Sequence, residues 1–277
     1  MPLIGHLASI YARAKLVLWV EDRLTRDYLD AVWASPDVEL MVAGQRDAVA
    51  AVTRDARLDV ENVFGLQDRD FDRSNLADFA TRPERTVVRL TRFEIENYLL
   101  EPDALSAVSA GRRPPDEVTR RLNDLAKPLV PWVACCAVLQ AIGRDLTNGC
   151  PSKPPQPSGV NSVASTDDAE KYILGRAWLA DAARQVDQWR AGRAVRDALE
   201  MEERRLAESL STGRLTEVMP GKQLLGAVAS WLWSDFRRDR QDEVVRAVAD
   251  WQRTNHAIPT DLLDLRQALR ARVGLGP

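Results

Sequence analysis

The chain has 277 residues, of which 45% are hydrophobic and 29% charged, with 38 Lys and Arg against 41 Asp and Glu. That length suits one large domain or two modest ones, and the weakly acidic balance excludes a broad electrostatic binder of nucleic acid. Only His6 and His256 occur, which argues against histidine-based triads or acid/base pairs.

No uninterrupted apolar run approaches the roughly 20 residues of a membrane span, and the amino-terminal segment lacks a secretion-signal pattern. The cytoplasm is the expected address, with no membrane partner. Three cysteines, Cys135, Cys136 and Cys150, form neither a disulfide framework nor a zinc spacing and are expected to be reduced core thiols. The first 100 residues hold 13 Lys and Arg against 17 Asp and Glu, so the acidic excess lies there.

In chain order, KLVLWV (15–20) predicts a buried strand, and Leu24, Tyr28, Leu29 and Val32 recur behind it at helical spacing. VELMVA (38–43), Gly44 and a helix marked by Val49, Val52 and Leu58 repeat the unit, and VENVFGL (60–66) and TVVRL (86–90) supply two more strands. Short strands alternating with amphipathic helices predict an α/β fold with a mainly parallel sheet. FEIENYLL (93–100) closes a first domain expected over 1–105. Residues 106–277 are expected to be a mostly helical region, with Pro128 and Pro131 dividing its first long helix and a Pro- and Ser-rich loop at about 147–166. Trp178, Trp189 and Trp251 are expected to anchor helix packing.

The richest segment is VFGLQDRDFD (63–72), where an apolar strand ends in Asp68, Asp70 and Asp72. Extended, these would share one face. At roughly 5–7 Å and an effective dielectric near 20, each pair would repel by about 2–3 kcal/mol, which calls for a raised pKa or a hard divalent cation such as Mg²⁺ or Mn²⁺. Glu21 and Asp22 end the first strand, and ligands of open parallel sheets gather at such carboxyl edges. The competing structural roles are a helix-terminal carboxylate for Glu21 and an ordinary turn for the aspartates.

Two known arrangements place acidic groups this way, a phosphate-accepting receiver domain and a Toprim domain. A receiver carries one aspartate after its third strand, followed by a Met-Pro type turn, and DRDFD does not match. Glu21 after strand one, Gly44 in the second unit, the DxD of Asp68 and Asp70, and FEIENYLLEPDAL (93–105) resemble the Toprim-like phage-defence nucleases typified by the AriB effector of the PARIS system, related to the OLD-family nucleases. The likeness covers about the first 105 residues, with a weaker echo at MPGKQLL (219–225).

That resemblance implies a metal-dependent endonuclease acting on RNA, with tRNA as a candidate, in preference to DNA; the competing reading is a binding effector whose acidic site holds metal without cleaving. Glu21, Asp68 and Asp70 would hold Mg²⁺ or Mn²⁺, Asp72 would assist, and Lys222 would enter the site to meet phosphate charge. It also implies a separate ABC-type ATPase partner and an active homodimer. Two departures stand out: Asp22 replaces the glycine of the family's VEG pattern, and Thr25 replaces an acidic residue. Between Glu94 and Glu96, Glu96 is the favoured ligand, with Asn97 as helper. Lys222 follows Gly221 without a GxxxxGK pattern, so it belongs to no P-loop. Arg237, Arg238 and Arg240 follow an amphipathic stretch bearing Trp231 and Trp233, a pattern that fits nucleic-acid contact or a solvated face beside core tryptophans.

Overall fold

A computed structural model describes residues 5–71, 76–109, 111, 113–147, 177–233 and 241–276. The fold is α/β. Four strands, β1 (Leu16–Val20), β2 (Val38–Val42), β3 (Val63–Gln67) and β4 (Val87–Arg89), form an all-parallel sheet in the order β2-β1-β3-β4. Trp19 pairs with Met41 on one side and Gly65 on the other, and Gln67 pairs with Arg89. The central strands β1 and β3 are buried at every position, which is why LVLWV and VFGLQ read as continuous rather than alternating apolar runs.

Helices α1 (Gly5–Arg13), α2 (Arg23–Trp33), α3 (Arg46–Ala56) and α4 (Leu76–Thr81) accompany the strands. Gly65 lets α3 lie close to β3: a Cβ there would stand 2.7 Å from Thr53 Oγ1 and 2.8 Å from Val49 Cγ1. The predicted α3 anchor Leu58 falls beyond the helix end and is exposed.

After β4 the chain makes a 3₁₀ turn (Ile95–Leu99), then α5 (Pro102–Val108) and α6 (Pro115–Ala126). A 3₁₀ turn at Lys127–Leu129 separates α6 from α7 (Val130–Thr147), so Pro128 divides the helix as expected. Next come α8 (Ala177–Arg190), α9 (Ala194–Ser211), α10 (Leu215–Val218), α11 (Gly221–Leu232), α12 (Gln241–Thr254) and α13 (Thr260–Arg272). Most of the anticipated Pro- and Ser-rich loop, residues 148–166, lies outside the described residues, as does Cys150.

Compact units divide the chain differently from the expected split at residue 105. One unit contains residues 1–128 together with 213–277, and the other is 129–212. The reason is the outer face of α2. Tyr28, Leu29 and Val32 are buried there, and α12, with Val244, Val245, Val248 and Ala249 buried, packs against that helix.

A polar chain ties the same layer together. The Tyr28 hydroxyl donates to Gln252 Oε1 at 2.7 Å, Gln252 Nε2 donates to the Tyr98 carbonyl at 2.9 Å, and the Tyr98 hydroxyl donates to Asp261 Oδ2 at 2.7 Å. Arg92 lies over the Tyr98 ring at 4.7 Å and pairs with Glu101. The ENYL run is buried throughout, and Glu96, Asn97 and Tyr98 each meet a partner far away in sequence.

In the 129–212 unit, α7 packs against α8 and α9. Cys135 is exposed and Cys136 half-buried, so neither is a core thiol; both lie on a helix that also exposes Trp132 and Leu139. Trp189 is half-buried, with its indole N–H donating to Asp145 Oδ2 at 2.9 Å. The helical stretch Pro115–Leu146 contains an 18-residue window of mean hydropathy 1.6, of which 22% is buried. By length and composition alone this helix is long and apolar enough to cross a membrane, although it holds no uninterrupted apolar run near 20 residues.

Candidate acidic site at the carboxyl edge of the sheet

Glu21 directly follows β1 and Asp68 directly follows β3, so parallel pairing of those strands brings both residues to one edge. Glu21 Oε1 accepts the backbone N–H of Asp68 at 3.0 Å. Asp68 Oδ1 accepts the Ile95 N–H at 3.2 Å. The ends of two strands and the start of the 3₁₀ turn are thus joined through two carboxylates.

The expected row of three aspartates on one extended face does not form. β3 stops at Gln67, and Asp70 turns into the left-handed region at φ 49°, a conformation that Asp tolerates better than most residues. Its N–H donates to the Phe93 carbonyl at 2.9 Å. Its carboxylate Oδ2 accepts from Arg46 Nη2 at 3.0 Å, and the same nitrogen donates to the Asp68 carbonyl. Strand alternation therefore fails after Asp68. Asp72 lies outside the described residues, as do Arg237, Arg238 and Arg240.

Glu94 and Glu96 have separate tasks. Glu94 caps the 3₁₀ turn in a capping box with Asn97, whose Oδ1 accepts the Glu94 N–H at 2.9 Å. Its Oε2 also accepts the Lys222 N–H at 3.0 Å. Glu96 is 2% exposed; its Oε1 lies 3.9 Å from Lys222 Nζ, and its Oε2 has no hydrogen-bond partner. Asn97 Nδ2 donates to the Met219 carbonyl at 2.9 Å, bringing the MPGK segment against this turn.

The electrostatics follow from crowding. Burial, reinforced by Glu96 and Glu21, pushes the Asp68 carboxyl up to about 8. Burial likewise pushes Glu96 up to about 7, against the pull of Lys222. Glu21 and Glu94 are raised chiefly by burial. The Lys222 ammonium is held above its ordinary value by Glu96, Glu94 and Asp68, which outweigh its own burial. Carboxylates outnumber the two nearby cations, so the cluster carries more negative charge than the protein itself offsets.

The two departures from the Toprim pattern explain one another. Asp22 is the N-cap of α2, and its Oδ1 accepts both the Thr25 N–H and the Thr25 hydroxyl, each at 2.8 Å. Asp22 and Thr25 thus form a helix cap. The sequence reading missed Arg46 altogether; its only signal was a position just behind the Gly44 turn at the end of β2. Trp231, read as a core residue, is half-buried, with Arg113 over its ring at 5.2 Å.

These residues can be tested for fit to a hard divalent cation. The buried orphan oxygen of Glu96 and the raised carboxyls of Asp68 and Glu96 are what an all-oxygen cation site shows when no cation is counted. Among the described residues, no three His, Cys, Asp or Glu side chains lie together so as to hold a metal ion between them. An ion bound through one or two carboxylates and its own water fits such an open set, and Mg²⁺ is bound in that way.

Fold and site together define an α/β protein with a carboxylate cluster spanning the ends of β1 and β3. No protein family matches the sequence, and no curated protein matches it at a significant level.

Proposed function

We propose that the chain is a metal-dependent nuclease whose Glu21 and Asp68, with Asp70 and Glu96 beside them, hold Mg²⁺ or Mn²⁺. The observation that carries this reading is the joining of the β1 and β3 ends by the Asp68 N–H to Glu21 Oε1 bond at 3.0 Å, beside a buried Glu96 oxygen with no partner. When bound, the ion supplies Lewis-acid polarisation of a phosphodiester and a more acidic water.

The protein's own groups supply the rest. Lys222, half-exposed and raised in pKa, presents an ammonium group to phosphate charge at the cluster's edge. Glu94 and Asn97 fix the turn that carries Glu96, so the ligand is positioned by backbone bonds rather than by a free rotamer. Histidine has no part in such chemistry, which suits its scarcity.

RNA, with tRNA as first candidate, is favoured over DNA as substrate on the resemblance to AriB-type effectors. The same resemblance supports a separate ABC-type ATPase partner, an active homodimer, a cytoplasmic setting and a role in phage defence. A receiver-like phosphoacceptor role for Asp68 is less favoured, because its side chain is buried and engaged by Ile95.

The test is cleavage of mixed RNA and DNA by purified protein in Mn²⁺, compared with Glu21→Gln. Gln keeps an oxygen for the Asp68 N–H but loses the charge. Cleavage lost in the variant with its melting curve intact supports the reading; equal cleavage by both proteins refutes it.

A further inference from the structure

The two cations flanking the acidic cluster are held in different ways. Lys222 is fixed through its backbone, since its N–H donates to Glu94 Oε2 and the preceding Gly221 lies against Asn97. The Arg46 side chain is held at its tip, where Nη2 bridges the Asp68 carbonyl and Asp70 Oδ2. Both members of the Arg46–Asp70 pair keep solvent access, with side chains 29% and 36% exposed. Ion pairs so placed are weak and exchange readily.

Asp70 is also the one member of the site in a left-handed backbone conformation, pinned by its N–H to the Phe93 carbonyl. Its backbone is fixed there, while its carboxylate is held by the solvent-accessible pair with Arg46. The independent sign that a ligand belongs nearby is the partnerless, buried Oε2 of Glu96, a carboxylate whose charge acts on Asp68.

We propose that Arg46 is the built-in counter-cation of this site: its guanidinium occupies Asp70 and the Asp68 carbonyl until a divalent cation takes Asp70 over. This rests on the metal-site reading above and adds its regulation. Arg46 acts through Asp70 and is therefore a positioning residue. Arginine suits the task because its permanent charge sits at the end of a long side chain, where the single nitrogen Nη2 reaches both oxygens.

The test is Mn²⁺ titration of the full-length protein, read by the electron paramagnetic resonance signal of the free ion, with circular dichroism to confirm folding. Arg46→Met is expected to bind Mn²⁺ about tenfold more tightly, within the usual range of coupling between sites. Arg46→Lys keeps the charge on a side chain one bond shorter, which draws it back from the two oxygens that Nη2 reaches, and is expected to shift affinity in the same direction. In an Asp70→Asn background, where the contested carboxylate is gone, Arg46→Met is expected to change nothing.

An Arg46→Lys affinity equal to wild type would reduce the effect to net charge and overturn the proposal. So would an undiminished Arg46→Met effect in the Asp70→Asn background. Mn²⁺ binding indifferent to every Arg46 substitution would remove the counter-cation and leave the metal site standing. Failure of all variants to bind Mn²⁺ would remove both.

Discussion

Gly221 lies so close to Asn97 that a Cβ added to it would stand 2.6 Å from Asn97 Oδ1 and 2.7 Å from the Asn97 backbone nitrogen. Both are below any tolerable contact, and one neighbour is backbone that cannot move aside. The glycine before Lys222 is thus a requirement of packing, and it places the Lys222 N–H against Glu94.

Gly221→Ala is expected to push α11 away from the 3₁₀ turn. Overpacking of this kind costs about 1–3 kcal/mol. A lower urea midpoint with an unchanged slope is the expected result, together with loss of the Lys222–Glu94 contact. A variant as stable as wild type would show that the turn and α11 are not in contact in solution.

The cluster predicts an unusual pH response. Asp68 at about 8 and Glu96 at about 7 bind protons more tightly in the folded chain than at their ordinary values of 3.8 and 4.5. The folded state therefore holds more protons through this window, and stability falls as pH rises. The contribution is fully present below about pH 4 and is lost by about pH 8. Glu96→Gln is expected to flatten the decline, and Mn²⁺ at high pH to reverse it. Urea midpoints of both proteins across this range check the expectation, which fails if the two profiles run parallel.

Asp22 and Glu21 are neighbours with separable roles. Asp22→Ala removes the α2 cap and is expected to cost about 0.5–2 kcal/mol while leaving Mn²⁺ affinity nearly unchanged. Glu21→Gln is expected to do the reverse, weakening Mn²⁺ binding with little loss of stability. Isothermal titration calorimetry and thermal melts on the pair decide it; a matching pattern in both variants would merge the two roles.

Gln252 is fully buried between Tyr28 and Tyr98 and bonds to both. Gln252→Leu strands a hydroxyl and a carbonyl, each costing about 1–3 kcal/mol when left unpaired in the interior. The variant is expected to be among the least stable in any series. Hydrogen exchange should show the loss first in α2, α12 and the 3₁₀ turn.

The four strands were legible as short, mainly apolar runs, continuous at β1, and α2 and α3 by their helical period, whereas α1 and the short α4, set in a stretch read as a polar loop, gave no such signal. Glu21 and Asp68 were legible for a related reason: parallel strands deliver their carboxyl ends to one edge, so position along the chain implies position in space. Asp70 was misread because a single left-handed residue cancels strand alternation, and nothing in DRDFD announces it. The separate tasks of Glu94 and Glu96 depend on a 3₁₀ turn, in which the spacing argument for helix or strand does not apply. Arg46 and the return of α12 to α2 rest on contacts between residues far apart in the chain, where local pattern is silent.

The buried turn at 95–99 is braced by residues that are synthesised about 120 or more residues later, the backbone of Met219 and Gly221 first, then the side chains of Gln252 and Asp261. A nascent chain that has reached α9 already carries Glu21, Asp68, Asp70, Glu94 and Glu96 but none of these braces. The arrangement of carboxylates around this turn is therefore complete only once the distal helices have docked.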